Sequence, residues 1–207
     1  MIDEEVLLTW GATYKSLSSN DVLFYEGADC NYYYQIKEGR LRWVNIDEEG
    51  KEHLQNLVEA GDCIGELPLF DGEPYAASAI SEGKSIVIRL PKNTFHQLLK
   101  ANPDIHFKFS KLLTSRLRFK FFMFKEMSSH QPEKIVMSLL NYFRLKNLHI
   151  CPTTQQVTLT RQQIANYTGL RVETVIRAIR HLSEKGQLAI DKGKVYLKIV
   201  IPVIMTL

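Results

Sequence analysis

Between Pro103 and Pro132 the chain runs without a further glycine or proline. That interval constrains the fold more than any other feature. Pro103 and Asp104 suit a helix start: the proline ring is pre-set for the first turn and the acid sits in that turn. Up to Ser129 the stretch would span about 39 Å at ~1.5 Å per residue. Its apolar residues do not fit a single face. Ile105, Phe109, Leu112, Phe119 and Met123 form one stripe, and Leu113, Leu117, Phe121 and Phe124 form another. Lys108, Lys111, Ser115, Arg118 and Lys125 trace a polar stripe, interrupted by Phe122. Two apolar stripes on one helix require two partners. One is expected to be the domain that precedes the helix. The other is expected to be the same helix of a second chain, packed as a short coiled coil with Leu113, Leu117, Phe121 and Phe124 in its seam. A helix buried on both sides within one monomer is the alternative.

The helix separates two regions of different character, so the expected organisation is residues 1–102, 103–129 and 130–207. In the first region, short runs rich in β-branched and aromatic residues alternate with turn signals. Val22–Tyr25 precedes Glu26-Gly27, Tyr32–Ile36 precedes Glu38-Gly39, and Leu41–Ile46 ends at Asp47-Glu48-Glu49-Gly50. His53–Val58 ends at Gly61-Asp62, and Ala76–Ile80 and Ser85–Leu90 follow. Runs spaced about 8–12 residues apart indicate an antiparallel all-β roll or sandwich. No helical crossovers separate them, which excludes a doubly wound parallel sheet.

The third region carries the sharpest local signal. Val157-Thr158-Leu159 reads as a short strand. Thr160-Arg161-Gln162-Gln163 is a capping box, in which the Thr160 hydroxyl and the Gln163 amide each satisfy an orphan backbone group. A short helix should end near Tyr167-Thr168, with Gly169 supplying a left-handed turn. A second helix should run from Val172 to Lys185 and stop at Gly186. Ile164, Ala165, Leu170, Val175, Ile179 and Leu182 are spaced to bury the contact between the two. This is a helix-turn-helix. Leu188-Ala189-Ile190, a turn at Asp191–Lys194 and Val195-Tyr196-Leu197 would add a basic hairpin, a wing.

Charge follows the same division. Residues 1–129 hold 15 Lys and Arg against 19 Asp and Glu, whereas residues 130–207 hold 11 against 4. A basic module behind an acidic one points to nucleic acid as the partner of the second. On the outward face of the second helix stand Arg171, Glu173, Thr174, Ile176, Arg177, Arg180 and His181. Arg can donate two hydrogen bonds to guanine, and Glu can accept from cytosine. Glu173 and Arg177, four residues apart, could instead form a plain surface ion pair. Gln162 and Arg180 complete the helical contact set, and Arg161, Lys192 and Lys194 are candidates for phosphates.

The glycine set Glu26-Gly27, Glu38-Gly39, Gly61-Asp62 and Gly65-Glu66-Leu67 resembles the cyclic-nucleotide-binding β-roll. Thr160 to Gly186 resembles the DNA-binding domain of the CRP/FNR superfamily of bacterial transcription regulators. Roll, long helix and winged domain occur in that order over nearly the whole chain. The implied fold class is α+β: an N-terminal antiparallel β-roll, a dimerisation helix and a C-terminal winged helix-turn-helix. The resemblance implies a homodimer on a palindromic DNA site with a TGA-type half-site core, and RNA polymerase as a further partner. Val172 matches the oxygen-regulator branch better than the cyclic-AMP branch, and Ile176 departs from the small residue usual there.

In the family the phosphate-binding segment ends in an Arg-Ser pair, and an upstream Glu holds the ribose. Here the candidate effector pocket is Gly65, Glu66, Leu67, Tyr75 and Ala76, with Tyr75 and Ala76 standing where Arg and Ser belong. A buried phosphate needs a fixed cation, so cyclic AMP is not the expected effector. Arg40, Arg42 and Arg89 are candidates for a substitute cation. A degenerate roll that binds nothing and only scaffolds the dimer is the competing reading. Residues 1–29 hold no cysteine, and Cys30, Cys63 and Cys151 show no short ligand spacing, which argues against an iron–sulfur cluster and for free thiols. His53, His96 and His106 are the residues a haem could use, but single histidines are ordinarily surface or core residues. No metal site and no cofactor are expected.

The remaining composition is that of an ordinary globular chain: 207 residues, 45% hydrophobic, 24% charged and 10% aromatic. No apolar run reaches the ~18 residues a membrane span needs, and the acidic start Met1–Glu5 lacks the order of a signal peptide. A cytoplasmic location is therefore expected. An enzyme is not, since the chain has no nucleophile elbow, phosphate loop, metal-binding His pair or paired-carboxylate motif.

Overall fold

The computed structural model describes residues 1–198. The chain divides into two compact units, Met1–Arg116 and Leu117–Leu207, and the division falls inside the long helix.

In the first unit two four-stranded antiparallel sheets face each other. One has the order β1 (Thr13–Leu17), β8 (Ser85–Pro91), β3 (Tyr32–Glu38), β6 (Cys63–Ile64). The other has the order β2 (Val22–Phe24), β7 (Ser78–Ser81), β4 (Arg40–Ile46), β5 (Glu52–Glu59). The strands expected from residues 22–90 all form, except that the run beginning at Ala76 enters the sheet only at Ser78. β1 was not expected. It lies at a sheet edge, pairs only with β8 and buries only Leu17, so it shows no alternation to read. Three short helices, α1 (Glu4–Thr9), α2 (Pro68–Asp71) and α3 (Lys92–Ala101), and the first half of the long helix α4 (Pro103–Met127) frame the roll. Tyr33, Phe95 and Phe109 form the centre of the core; the Tyr33 and Phe95 rings stack at 4.7 Å and Phe109 meets both edge-on. Phe109, with Ile105 and Leu112 beside it, thus places the first apolar stripe of α4 against the roll, as expected.

In the second unit the same stripe continues on the far half of α4, where Phe119 packs against Tyr142 and Phe143 of α5 (Pro132–Leu145) and against Tyr167. α5 is a helix beyond those expected from the sequence, although Ile135, Val136, Leu139, Leu140 and Phe143 bury one face at helical spacing behind a first-turn proline. α6 (Arg161–Thr168) and α7 (Val172–Glu184) form the helix-turn-helix, and β9 (Leu188–Asp191) and β10 (Lys194–Leu197) form the hairpin around the turn Lys192-Gly193. Val157 does not belong to a strand; it makes a single bridge to Ile150. The part of the expected 130–207 module beyond residue 198 lies outside the described residues.

No helix among the described residues is long and apolar enough to cross a membrane. The three cysteines are free, with Cys30 and Cys63 buried.

Candidate nucleic-acid interface and effector pocket

The helix-turn-helix is built from its caps inward. Gln163 N donates to Thr160 Oγ1 at 3.1 Å, and Thr160 N donates to Gln163 Oε1 at 2.9 Å, which closes the capping box. α6 ends at Gly169 with φ of 69°, a left-handed conformation that a side chain would strain. Ile164, Ala165, Val175, Ile179 and Leu182 are buried between the helices, and Leu170 is half-buried. This leaves the opposite face of α7 to solvent.

Arg171, Glu173, Arg177 and Arg180 are exposed there, and Thr174 is half-buried. Glu173 and Arg177 form no ion pair; the Arg177 guanidinium instead approaches Thr174 Oγ1 at 3.5 Å. No carboxylate partner is present for Arg171, Arg177, Arg180, Lys192 or Lys194 among the described residues. Gln162 is exposed and its amide donates to Asn166 Oδ1 at 2.7 Å. Arg161 is half-buried, and its Nη2 donates to Gly193 O at 3.0 Å, so it ties the start of α6 to the wing turn. His181 is exposed as well, but it is paired: its Nδ1 lies 3.1 Å from Glu133 Oε1 at the start of α5. That contact holds the Glu133 carboxyl below its ordinary range.

The second stripe of α4 is exposed. Leu117, Phe121 and Phe124 are 55%, 65% and 75% accessible, whereas Leu113 is half-buried. Phe107, also exposed, extends the stripe toward the N-terminus at heptad spacing from Thr114, Leu117, Phe121 and Phe124.

The roll's pocket has a different character. Gly65, Glu66 and Tyr75 are buried, Leu67 is half-buried and Ala76 is exposed. The Tyr75 ring stacks on Phe24 at 3.8 Å with an interplanar angle of 11°, and Phe24 in turn stands 5.9 Å from the Tyr34 ring. Gly65 has φ of +71°, and a Cβ on it would lie 2.5 Å from Phe24 and 2.8 Å from Tyr75. The ring stack therefore closes directly onto the backbone ahead of Glu66. Glu66 itself is 0% exposed and ion-pairs through Oε1 with Arg116 Nη1. Arg116 Nη2 donates to Cys63 O at 2.9 Å, and the guanidinium stands 5.4 Å from the centre of the Trp43 ring.

The substitute cations considered from sequence lie elsewhere. Arg40 pairs with Glu82 at 2.6 Å, Arg42 with Glu52 at 3.0 Å, and Arg89 donates to Thr13 and covers Tyr32. Arg116 was the residue missed. Its signal was legible: it falls at the 4-3-4-3 spacing of Ile105, Phe109, Leu112, Phe119 and Met123, so a charge sits in the buried stripe. The three histidines considered for haem also have local partners: His53 meets Asp47, His96 meets Leu69 O, and His106 stacks on Phe70.

Residues 14–102 match the model of the cyclic nucleotide-binding domain, and residues 133–202 match that of the Crp-like helix-turn-helix domain. The chain belongs to the CRP/FNR superfamily. It is 29% identical over 174 residues to the cAMP-activated global transcriptional regulator CRP of Salmonella typhimurium, covering 81% of each chain. It is 27% identical over 194 residues to the anaerobic regulatory protein of Bacillus subtilis, covering 90% of this chain and 80% of that one. Among solved structures, the c-di-GMP-responsive global regulator CLP of Xanthomonas campestris superposes with a TM-score of 0.76 at 16% identity, covering 94% of this chain and 99% of that one. The chain is accordingly a transcription regulator with a DNA-binding helix-turn-helix and a cyclic-nucleotide-binding-like domain.

Proposed function

We propose that this chain acts as a homodimeric, sequence-specific regulator that binds a palindromic DNA site, and that cyclic AMP is not its effector. The observation that carries the first part is the α7 face, where Arg171, Glu173, Arg177 and Arg180 are exposed and form no ion pair within the described residues. Two such helices, brought together along the Leu117–Phe121–Phe124 stripe, would enter successive major grooves about 34 Å apart. Arg177 takes the guanine of a TGA-type half-site, and Glu173 accepts from the cytosine opposite the neighbouring guanine. Lys192 and Lys194 meet phosphates, which set register without reading bases. RNA polymerase is the expected further partner.

Against cyclic AMP stand Tyr75 and Ala76 at the phosphate-binding positions and the Phe24–Tyr75 stack that fills the space above Gly65. The matched relatives do not share one effector: the names include a cAMP-activated and a c-di-GMP-responsive regulator. The same stack favours the reading of a roll that binds no small molecule. Neither an iron–sulfur cluster nor haem is proposed.

The test is selection from random DNA with the wild type and Arg177→Ala. The wild type should enrich a palindrome. The variant should lose about 1–3 kcal/mol per half-site and relax its preference at one base pair. Unchanged affinity and unchanged base preference in the variant would show that α7 is not the reading element.

A further inference from the structure

The start of α5 and the end of α7 enclose a groove with a volume of about 440 Å³. That volume is within the range of small-molecule sites. All its walls belong to the winged domain, and none of its residues is among those assigned to DNA. Met137 and Leu182 give it an apolar lining. Lys134 and Lys185 also line it; both are exposed, and neither forms an ion pair among the described residues. Glu133, the carboxylate among the lining residues, is already engaged, with His181 Nδ1 at 3.1 Å from its Oε1. No side chain caps the N-terminus of α5, so the positive end of that helix adds to the two lysines. The charge left uncompensated in the groove is therefore positive. Its other open feature is Asn141, whose Oδ1 is buried and accepts no hydrogen bond. A buried acceptor without a donor is rare and destabilising. Ser138 does not supply the donor, since its hydroxyl donates to the buried Glu126 carboxylate at 2.8 Å.

We propose that this groove binds a small dianionic hydroxy compound, with its acidic groups on Lys134 and Lys185 and its hydroxyl on Asn141. Ionised oxygens on the two ammonium groups form charge-assisted hydrogen bonds. A hydroxyl both donates and accepts, so it satisfies the Asn141 amide whichever of its ends, oxygen or NH2, faces the groove. Met137 and Leu182 cover the carbon chain between the polar groups. A hydroxy dicarboxylate and a hydroxylated phosphate monoester share this chemistry. Either would bridge α5 to the far end of α7, the helix whose outward face is held for DNA. The small-molecule site is thereby placed in the winged domain and not in the roll, where Phe24 and Tyr75 stack over Gly65. The inference goes beyond the proposed function and stands without it, because it uses no residue that reads DNA.

The experiment titrates the full-length protein, carrying isotope-labelled asparagine and free of DNA, with L-malate and with glycerol phosphate. Each is paired with the analogue that lacks the hydroxyl groups, succinate and propyl phosphate. The Asn141 side-chain resonance reads the site. At least one of the two hydroxy compounds should move it saturably, with a dissociation constant below about 1 mM. Which of them does so tells a dicarboxylate from a phosphate. Loss of the hydroxyl should weaken that ligand by about tenfold. Lys134→Gln/Lys185→Gln changes only exposed side chains and should weaken it by about tenfold as well. In Asn141→Ala the hydroxy compound and its analogue should bind alike, read as equal shifts of the thermal midpoint. If Asn141→Ala does not fold, the comparison of ligand and analogue on the wild type decides. Three outcomes would each overturn the site. They are no saturable shift with any of the four compounds up to about 10 mM, equal wild-type affinity for a hydroxy compound and its analogue, or a double lysine variant that binds as tightly as the wild type. Equal affinity with the lysine dependence kept would mean an adventitious ion only.

Discussion

The roll and the winged domain dispose of their arginines in opposite ways. In the roll, Arg40, Arg42 and Arg116 each face a carboxylate of the same unit, at Glu82, Glu52 and Glu66, and Arg89 is held by Thr13 and the Tyr32 ring. In the winged domain, Arg171, Arg177 and Arg180 face outward and pair with no carboxylate among the described residues. The counts agree: 15 basic against 19 acidic side chains up to residue 129, and 11 against 4 beyond it. A unit that neutralises itself internally uses charge to fix its own shape. A unit that leaves its cations exposed holds them for a partner whose charge is negative and whose groups can be read. Between the two runs α4, whose outer stripe is apolar and belongs to neither pattern.

That stripe is where the comparison breaks most easily. Phe121 is 65% accessible in the single chain, so Phe121→Asp should leave the folding of each protomer nearly unchanged. In a dimer seam the same carboxylate would be buried without a partner, at a cost of several kcal/mol. Sedimentation should therefore show a monomer with an unaltered circular dichroism spectrum. A variant that stays dimeric would move the interface off α4.

Inside the roll the sharper test is steric. Gly65→Ala places a Cβ against the Phe24 and Tyr75 rings at a backbone φ of +71°. Overpacking of this kind costs about 1–3 kcal/mol, and the left-handed backbone adds about 1–2 kcal/mol for a residue with a side chain. Urea denaturation should show a loss of that order. A variant of wild-type stability would mean that the aromatic stack has room to open, and with it the pocket.

The two regions also differ in how much of them the sequence discloses. The helix-turn-helix is a local object: the Thr160–Gln163 capping box, the Gly169 turn and the exposed face of α7 all follow from residues a few positions apart. The roll's pocket is not. Gly65-Glu66 is recognisable, but its partners are Phe24, Tyr75 and Arg116, and the last lies 50 positions away on another element. Arg40, Arg42 and Arg89 were equally plausible from composition and are engaged elsewhere. Spacing along α4 carried the missing information, since a charge within a buried stripe implies a buried counter-charge. β1 and the two-residue β6 could not be read at all, because their pairing rather than their own side chains defines them. Arg161 shows a contact that spacing alone does not reveal: besides being a phosphate candidate, its guanidinium reaches the wing turn at Gly193.

The smallest effect separates cations that read DNA from cations that only hold it. Lys194 opens β10, one residue beyond the turn formed by Lys192 and Gly193, and is exposed without an ion-pair partner among the described residues. If it neutralises one phosphate, its loss releases one fewer counterion, and the slope of log affinity against log salt should flatten by about 0.9. Base preference in the selected site should not move, because phosphates carry no sequence information directly. Arg177→Ala should do the opposite, changing base preference with the salt slope largely kept. Fluorescence anisotropy across a salt series, run on the palindrome and on random duplex, distinguishes them. An unchanged slope for Lys194→Ala on both duplexes would take the wing away from the phosphate backbone and leave α7 as the element that engages DNA.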